Sequence, residues 1–256
     1  MKTCQCEVDS YSRNKLLPYS NLSCGDLIAE IGRLFINTPY KAETLESPGR
    51  EKLIVNWSAF DCTTFLETIL AFARCISTGK ISHHFFRKNL TLIRYRQGKI
   101  DGYSSRLHYF TDWLCDNTNM GIVTDVSCNL GGKSQRKKIN FMTTHRELYA
   151  ALENKNELKK ISLIEKNLSR KVFYIIGTDK LSSVKTKIKN GDIIAFATKQ
   201  EGLDVTHVGF ALWQGKNLCL LHASKKEGCV VISAKSLSVC IKQNKNISGI
   251  IVARFL

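Results

Sequence analysis

The chain has 256 residues, of which 43% are hydrophobic and 3 are proline, a composition typical of a globular protein and unlike that of a disordered one. The formal net charge is +16, from 38 Lys and Arg against 22 Asp and Glu, which bears on partners and solubility rather than on fold. The sequence has no run of about 18 apolar residues, so we predict no transmembrane helix. The N-terminus lacks the apolar core of a signal peptide. We therefore expect a cytoplasmic protein, or a periplasmic or cell-envelope protein whose leader has been removed.

Helical patterns fill the first two thirds of the chain. We predict an N-terminal extension at 1–22 and a single domain at 23–256. From residue 23 to about residue 170, apolar residues recur with the spacing of amphipathic helices, and Ser23 or Asp26 is the candidate N-cap of the first. The predicted helices lie in "SCGDLIAEIGRLF", "DCTTFLETILAFARCI", "SHHFFRKNLTLIRYR", "SSRLHYFTDWLCDN" and the charged "THRELYAALENKNELKKISLIEKNL".

The pattern changes to short β-strands from about residue 171 onward. Runs rich in Val, Ile and Phe are separated by turn signals such as "KNGD" and "QGKN". Because most of these runs have no helix between them, they predict an antiparallel, meander-like sheet. The predicted fold class is therefore α+β, with a helical N-terminal part packed on a C-terminal antiparallel sheet.

One of the ten cysteines, Cys62, stands where a helix is predicted to begin. Unpaired N–H groups at a helix N-terminus lower the pKa of a thiol and can also hold an oxyanion. Most other cysteines are interpreted as small core residues: Cys75 lies within the same helix, and Cys219, Cys229 and Cys240 lie in strand-like runs. The motif "CQC" at 4–6 lacks the spacing and the second pair of a zinc site, so no metal and no other cofactor is expected.

A nucleophilic cysteine needs a base, and two of the six histidines lie in predicted strands. His207 in "DVTHVGFALW" and His222 in "LCLLHASKKEG" are 15 residues apart, which suits neighbouring antiparallel strands joined by a turn. In that arrangement His207 can take the proton of Cys62, and His222 can orient the His207 ring. Each histidine could instead be a hydrogen-bonded core residue, and this alternative stays open.

These motifs, in this order, resemble those of the NlpC/P60 cysteine peptidases, papain-like enzymes that cleave bacterial cell-wall peptides. The resemblance rests on "NTPY" at 37–40, "DCTTFLE", "THVGFALW" and "LLHASKKEGCVVIS". The segments "EKLIVNWSAFDCTTFLE", "GYSSRLHYFTDWL" and "GLDVTHVGFA" further resemble the DUF1460 branch, described as N-acetylmuramoyl-L-alanine amidase-like. The 21 residues between Tyr40 and Cys62 fit that branch.

The resemblance implies a papain-like fold and a peptidoglycan hydrolase that acts on muropeptides. It implies Cys62 as nucleophile, His207 as base and His222 as the orienting residue. The substrate-binding residues that it implies are Tyr40, Asp61, Thr63, Arg106, His108 and Asp204. Asp61 is equally interpretable as a helix-capping acid, and Arg106 as part of a surface salt bridge. The branch implies cleavage between N-acetylmuramic acid and L-alanine, whereas the wider family implies cleavage of the γ-D-glutamyl bond to the diamino acid.

Two other functions are considered. The "GGKS" at 131–134 resembles the end of a phosphate-binding loop, but Ser127 stands where that motif requires glycine, and we interpret "GGKSQRKK" as a basic flexible loop. The net charge alone would suit a nucleic-acid-binding protein or a non-catalytic domain that binds the cell envelope. A nucleic-acid partner is not expected, because the basic residues are dispersed and lack regular aromatic neighbours.

Overall fold

The computed structural model describes residues 19, 21–47 and 49–256. Most of the predicted extension at 1–22, including "CQC", lies outside the described residues. The helices, in chain order, are α1 (Cys24–Arg33), α2 (Cys62–Ser77), α3 (His83–Arg94), α4 (Phe110–Asn119), α5 (Phe141–Thr144), α6 (Lys155–Leu168), α7 (Leu181–Val184) and α8 (Leu237–Gln243). Within the described ranges, no helix has the length and hydropathy needed to cross a membrane.

The strands form one eight-stranded sheet. They are β1 (Val123–Asp125), β2 (Lys133–Gln135), β3 (Phe173–Gly177), β4 (Ile193–Thr198), β5 (Val205–Gln214), β6 (Asn217–Ser224), β7 (Cys229–Ile232) and β8 (Ile247–Phe255). Their order is β2-β3-β8-β4-β5-β6-β7, with β1 also paired to β8, and every strand pairing is antiparallel. The predicted α+β class with an antiparallel sheet is therefore confirmed. Only β4 to β7 form a meander, because β8 lies between β3 and β4.

Hydrophobic clusters cover both faces of the sheet. Along β4, Ile193 and Ala195 belong to the cluster under α1 and α2, whereas Ile194 and Phe196 belong to the cluster under α7 and α8. Successive side chains of a strand point to opposite faces, so this central strand needs apolar residues at every position. Cys75 of α2 is 1% exposed and lies in the first cluster, as predicted. The strands beside α2 are therefore packed between two apolar clusters.

Three local predictions are wrong, all in polar or short segments. Lys133–Gln135, expected in a flexible loop, is an edge strand paired with β3, because backbone pairing rather than side-chain alternation defines it. Cys240, expected in a strand, lies in α8. The helix predicted in "SSRLHYFTDWLCDN" begins only at Phe110, because Tyr103–Ser105 forms a separate 3₁₀ turn.

The segment at 41–60, which precedes α2, is tied to the end of α3 by buried polar groups. Arg94 donates a hydrogen bond to the backbone oxygen of Ile54 at 2.6 Å, and the hydroxyl of Tyr95 donates to Glu51 at 2.8 Å. Both Arg94 and Tyr95 are buried, so these bonds are shielded from competing water. Residues 51–54 are therefore bonded to the end of α3.

Candidate active site

Cys62 is the first residue of α2, and Asp61 caps the helix directly before it. The Asp61 carboxylate accepts a hydrogen bond from the N–H of Thr64 at 2.7 Å, and the Thr64 hydroxyl accepts one from the N–H of Asp61 at 3.0 Å. This reciprocal pair is a capping box, so the capping role considered for Asp61 is confirmed. No acceptor on another described residue engages the N–H groups of Cys62 and Thr63. These donors stay available for an oxyanion beside the thiol.

The half-buried thiol of Cys62 does not have the lowered pKa that its helix position predicts. Burial, followed by the nearby Asp61 carboxylate, raises the pKa of Cys62 to about 11. The N–H of Val208 and the hydroxyl of Thr63 stabilise the thiolate but do not reverse the shift. The expectation is wrong because the desolvation of the thiolate outweighs the local donors. Cys62 is therefore a thiol at neutral pH and needs a base before it can attack a carbonyl.

His207 and His222 face each other from neighbouring strands. Nε2 of His207 lies 2.6 Å from Nδ1 of His222, and the ring planes stand at 83°. Strands β5 and β6 pair in antiparallel register, which confirms the predicted placement of the two histidines. Gly209 leaves room for this contact, since a Cβ there would come within 2.8 Å of the His222 Cβ. The geometry of the sheet thus fixes the histidine pair.

The bond to His222 determines which nitrogen of His207 can exchange a proton with the thiol. Because Nε2 is engaged with His222, Nδ1 is the nitrogen that remains. Burial, with the neighbouring His222, lowers the pKa of His207 to about 3, and burial lowers the pKa of His222 to about 4. Both rings are therefore neutral at neutral pH, the form in which imidazole accepts a proton. The pair can supply a base whose orientation is fixed by a second ring.

Cys62 and His207 line one cavity of ≈ 90 Å³ between α2 and β5. It also brings together three of the predicted substrate-binding residues, Thr63, His108 and Asp204. The remaining wall is mostly apolar and consists of Leu66, Leu107, Phe110, Trp113, Leu203, Val205, Thr206 and Val208. A small apolar space beside a nucleophile and a base suits a compact, uncharged part of a substrate.

His108 is held by the turn that precedes it in the chain. Its Nε2 lies 2.9 Å from the backbone oxygen of Tyr103, and the two rings pack at 4.3 Å. A carbonyl oxygen only accepts, so Nε2 carries the hydrogen and Nδ1 is left as an acceptor. Burial, followed by the charge of Arg106, lowers the pKa of His108 to about 3. A neutral histidine in a fixed tautomer therefore stands in the cavity wall.

Tyr40 approaches the site from a separate part of the chain. Its N–H donates to the backbone oxygen of Gly228 at 2.7 Å, and Tyr40 forms a bridge with Phe60, two residues before Cys62. Burial and the charges of Cys62 and Asp61 raise the pKa of Tyr40. The structure therefore brings Tyr40 close to the nucleophile candidate, although its ring does not line the ≈ 90 Å³ cavity.

Asp204 lines the cavity, but both of its carboxylate oxygens are engaged within the protein. Oδ2 accepts hydrogen bonds from the N–H and the hydroxyl of Thr111 at 2.7 and 2.8 Å, and Oδ1 accepts one from the N–H of Val205 at 2.7 Å. Thr111 is in the first turn of α4, so Asp204 caps that helix from the sheet. This role holds α4 against the site.

Arg106 is buried and does not line the cavity. It is 5% exposed and donates to Glu46 at 2.8 Å and to the backbone oxygen of Leu45 at 3.2 Å. Its guanidinium also lies 4.8 Å from the centre of the Tyr103 ring. The salt bridge considered as the alternative role of Arg106 is therefore present, with the exposed Glu46 at 2.8 Å, although the guanidinium itself is buried.

Trp113 is a residue of the cavity that sequence reasoning missed. It is 2% exposed, stacks on Phe110, and its indole N–H finds no acceptor among the described residues. A buried donor without a partner destabilises the protein. A ligand that accepts a hydrogen bond from this N–H would therefore gain affinity. The available signal is the Trp in "GYSSRLHYFTDWL", a segment that also contains Arg106 and His108.

A larger groove of ≈ 370 Å³ lies at the start of α1 but offers no comparable chemistry. Among the described residues, no histidine lines it, so the exposed thiol of Cys24 has no imidazole base there. Its Arg254 is bound to Asp192 at 2.7 and 2.8 Å. The candidate nucleophile Cys62 and the candidate base His207 both line the smaller cavity instead.

Residues 30–250 match the AmiA-like family, described as N-acetylmuramoyl-L-alanine amidase-like. A search among curated proteins gave no match. The fold is similar to that of an N-acetylmuramoyl-L-alanine amidase from Bacteroides uniformis, with 39% identity and a TM-score of 0.87 over 91% of this chain and 98% of that one.

Two other solved structures are also similar. A Bacteroides fragilis protein named a putative xylanase has 44% identity and a TM-score of 0.83, over 88% of this chain and 99% of that one. A DUF1460 protein from Legionella pneumophila has 21% identity and a TM-score of 0.71, over 98% of this chain and 97% of that one. The second likeness concerns the fold alone.

Proposed function

The chain belongs to the AmiA-like family, and we propose that it is a peptidoglycan hydrolase that cleaves the amide between N-acetylmuramic acid and L-alanine, with Cys62 as its nucleophile. The observation that carries the proposal is the cavity shared by Cys62 and His207, in which His207 is bonded to His222 at 2.6 Å. The name of the Bacteroides uniformis relative supports the choice of bond.

In the proposed first step, Nδ1 of His207 takes the thiol proton as the sulfur of Cys62 attacks the lactyl carbonyl carbon. A C–S bond forms, and the carbonyl oxygen becomes an oxyanion that the N–H groups of Cys62 and Thr63 can hold. Collapse breaks the C–N bond, the proton moves from His207 to the nitrogen of L-alanine, and the stem peptide leaves.

In the second step, water attacks the thioester while His207 again accepts a proton. The C–S bond breaks, the muramic acid carboxylate leaves, and the thiol of Cys62 is restored. His222 keeps the His207 ring in position through both steps but does not itself touch the substrate.

The proposal also includes the fold family, the bounds of the domain and the residues that contact the substrate. We infer a papain-like NlpC/P60 fold for a single catalytic domain that covers 23–256, with Tyr40, Thr63 and His108 as substrate contacts. The helix that starts with the nucleophile and the sheet that carries the histidine pair support this placement. Thr63 and His108 are favoured because they line the cavity, and Tyr40 because it lies near Cys62.

The alternative bond within the same fold is the γ-D-glutamyl link to the diamino acid. That specificity requires a group that binds the free ammonium of L-alanine, and Asp61 with Tyr40 would be the candidates. Oδ1 of Asp61 accepts from both the N–H and the hydroxyl of Thr64, which commits this oxygen to the helix cap. The other oxygen, Oδ2, is not part of the cap, so the choice of the sugar-linked amide rests on the name of the Bacteroides uniformis relative.

The xylanase name of one relative is not extended to this chain. Most glycoside hydrolases need two carboxyl groups on either side of the bond that they cleave. Among the described residues, Asp204 is the only acid that lines the cavity, and its oxygens are engaged with Thr111 and Val205. The cavity instead contains a thiol and an imidazole, the groups used in cysteine catalysis.

The test is mass spectrometry of a purified disaccharide-peptide muropeptide after incubation with the wild type and with Cys62→Ala. We expect the wild type to release a stem peptide that begins with L-alanine, and Cys62→Ala to release none. Cys24→Ala is the matched control, because that thiol is exposed and lies outside the cavity, and it should keep full activity. Cleavage after D-glutamate would select the alternative bond, and undiminished cleavage by Cys62→Ala would refute the proposal.

A further inference from the structure

A concentration of positive charge lies at the β2 edge of the sheet. The two segments at 133–138 and 166–172 contain seven basic residues and no acidic one. Strand β2 pairs with β3, and the N–H of Ile139 donates to the hydroxyl of Ser169 at 2.9 Å, so the segments run side by side. Charges that are separate in the sequence therefore share one edge.

Some residues of this two-stranded ribbon line an inner cavity, and others are exposed. Gln135, Lys137 and Ile139 line a small inner cavity together with Phe173 and Ile175. The inner Lys137 donates a hydrogen bond to the backbone oxygen of Thr198. The residues that alternate with these along 134–138, and those that face them along 170–174, are exposed. We call Ser134, Arg136, Lys138, Arg170, Val172 and Tyr174 the outer ribbon face.

The cations of the outer ribbon face have no counter-charge among the residues that the structure describes. Arg136, Lys138 and Arg170 are exposed, and none of them takes part in an ion pair with a described residue. The acid nearest in sequence, Glu165, is 2% exposed and accepts from Tyr109 at 2.7 Å. The face is therefore open to an external polyanion.

Two apolar side chains are exposed among these cations. Val172 is 42% exposed and Tyr174 is 36% exposed, and both lie on the outer ribbon face. Duplex nucleic acid would engage the cations but would leave the aliphatic Val172 in water. A bilayer with anionic headgroups would engage both kinds of side chain, since interfacial binding combines charge with partly inserted apolar groups.

We propose that the outer ribbon face binds the surface of an anionic phospholipid bilayer. The ribbon lies beside the site proposed for hydrolysis, because Asp204 lines both the inner cavity of the ribbon and the cavity of Cys62. The proposal is independent of the proposed hydrolysis and extends the function to recruitment at a membrane.

The test is co-sedimentation of the full chain with vesicles of phosphatidylcholine, alone or with about 30% phosphatidylglycerol, at about 0.15 M salt. We expect binding only to the anionic vesicles. The charge reversal R136E/R170E should weaken it roughly 25-fold or more, because each cation near such a surface contributes about fivefold. V172S should weaken it about threefold through the lost apolar contact.

The matched control is K242E/K245E, which makes the same change of charge at two exposed lysines near α8. It should bind anionic vesicles like the wild type, and circular dichroism should show that all variants are folded. Three results would overturn the proposal: no binding of the wild type to anionic vesicles, an equal loss in the control, or tighter binding of a duplex DNA oligonucleotide through the same two arginines.

Discussion

Gly209 packs directly against His222, and a Cβ at Gly209 would come within 2.8 Å of the His222 Cβ and 2.9 Å of Leu220. Because Gly209 of β5 has no side chain, the imidazole of His222 on β6 can reach His207. In the proposed mechanism, this glycine is a positioning residue for the base.

Gly209→Ala should lower kcat about 10- to 100-fold, because a displacement of the order of an ångström in a catalytic group has such an effect. The measurement is the rate of muropeptide cleavage. Gly121→Ala is the control: its φ of 65° makes alanine strained, but no atom lies within 4 Å of the added Cβ. That variant should lose about 1 kcal/mol of stability and keep its kcat. Equal kcat for Gly209→Ala and the wild type would show that His222 tolerates the displacement.

Asp61 affects both the stability of α2 and the pKa of Cys62, and two substitutions separate these effects. Asp61→Asn keeps a good N-cap and should leave the free energy of unfolding nearly unchanged, whereas Asp61→Ala should lower it by about 1 kcal/mol. Both should lower the pKa of Cys62, since the Asp61 carboxylate raises it. The check is the pH dependence of alkylation, read by mass spectrometry on the peptide that contains Cys62. An alkylation profile that is the same in all three proteins would contradict this electrostatic role.

The two histidines should make the protein less stable as the pH falls. The pKa of His207 is lowered from 6.5 to about 3 and that of His222 to about 4, so the unfolded chain binds protons that the folded protein does not. Stability from these groups is present above about pH 6.5 and is lost progressively toward about pH 4, by up to about 1.4 kcal/mol per pH unit for each group. His207→Gln should flatten the fall measured by urea unfolding across this range. An unchanged slope would show that His207 is protonated with an ordinary pKa.

The buried pair of Glu67 and Arg94 lies beneath the start of α2. Arg94 Nε is 2.6 Å from Glu67 Oε2, and each side chain is 2% exposed. Arg94→Met should lower the free energy of unfolding by about 3–5 kcal/mol, because it leaves a buried carboxylate without a partner. The control Arg87→Met, at an exposed position of α3, should change it by less than about 0.5 kcal/mol. The double variant Arg94→Met with Glu67→Leu should recover most of the loss, and a failure to recover would assign the cost to the lost bond with Ile54 instead.

The sequence predicted the elements that carry strong local signals. Helix α2 has regular apolar spacing and a capping acid, and the strands of His207 and His222 are separated by a clear turn, so local patterns were sufficient for both. Strand β2 was missed because its residues are polar and its pairing with β3 comes from the backbone. The position of β8 depends on contacts across the whole sheet, which local patterns do not contain.

For the candidate site too, the sequence predicted features with a local signal and missed those that depend on the folded protein. The placement of the two histidines on neighbouring strands followed from their spacing, but the sign of the Cys62 pKa shift did not, because burial is a property of the folded protein. The contacts of Asp204 with Thr111 and of Arg106 with Glu46 join residues that are 93 and 60 positions apart. No local pattern indicates that these side chains are engaged within the protein.

The most direct test of the central claim is the mass of the covalent intermediate. The wild type is mixed with a disaccharide-peptide muropeptide, quenched in acid within the first turnovers and digested, and the adduct on the peptide that contains Cys62 is measured. Cleavage of the amide next to the sugar predicts a muramoyl thioester on Cys62, with the mass of the disaccharide acyl group. A peptidyl thioester would contradict the choice of bond, and turnover that persists in Cys62→Ala would contradict cysteine catalysis.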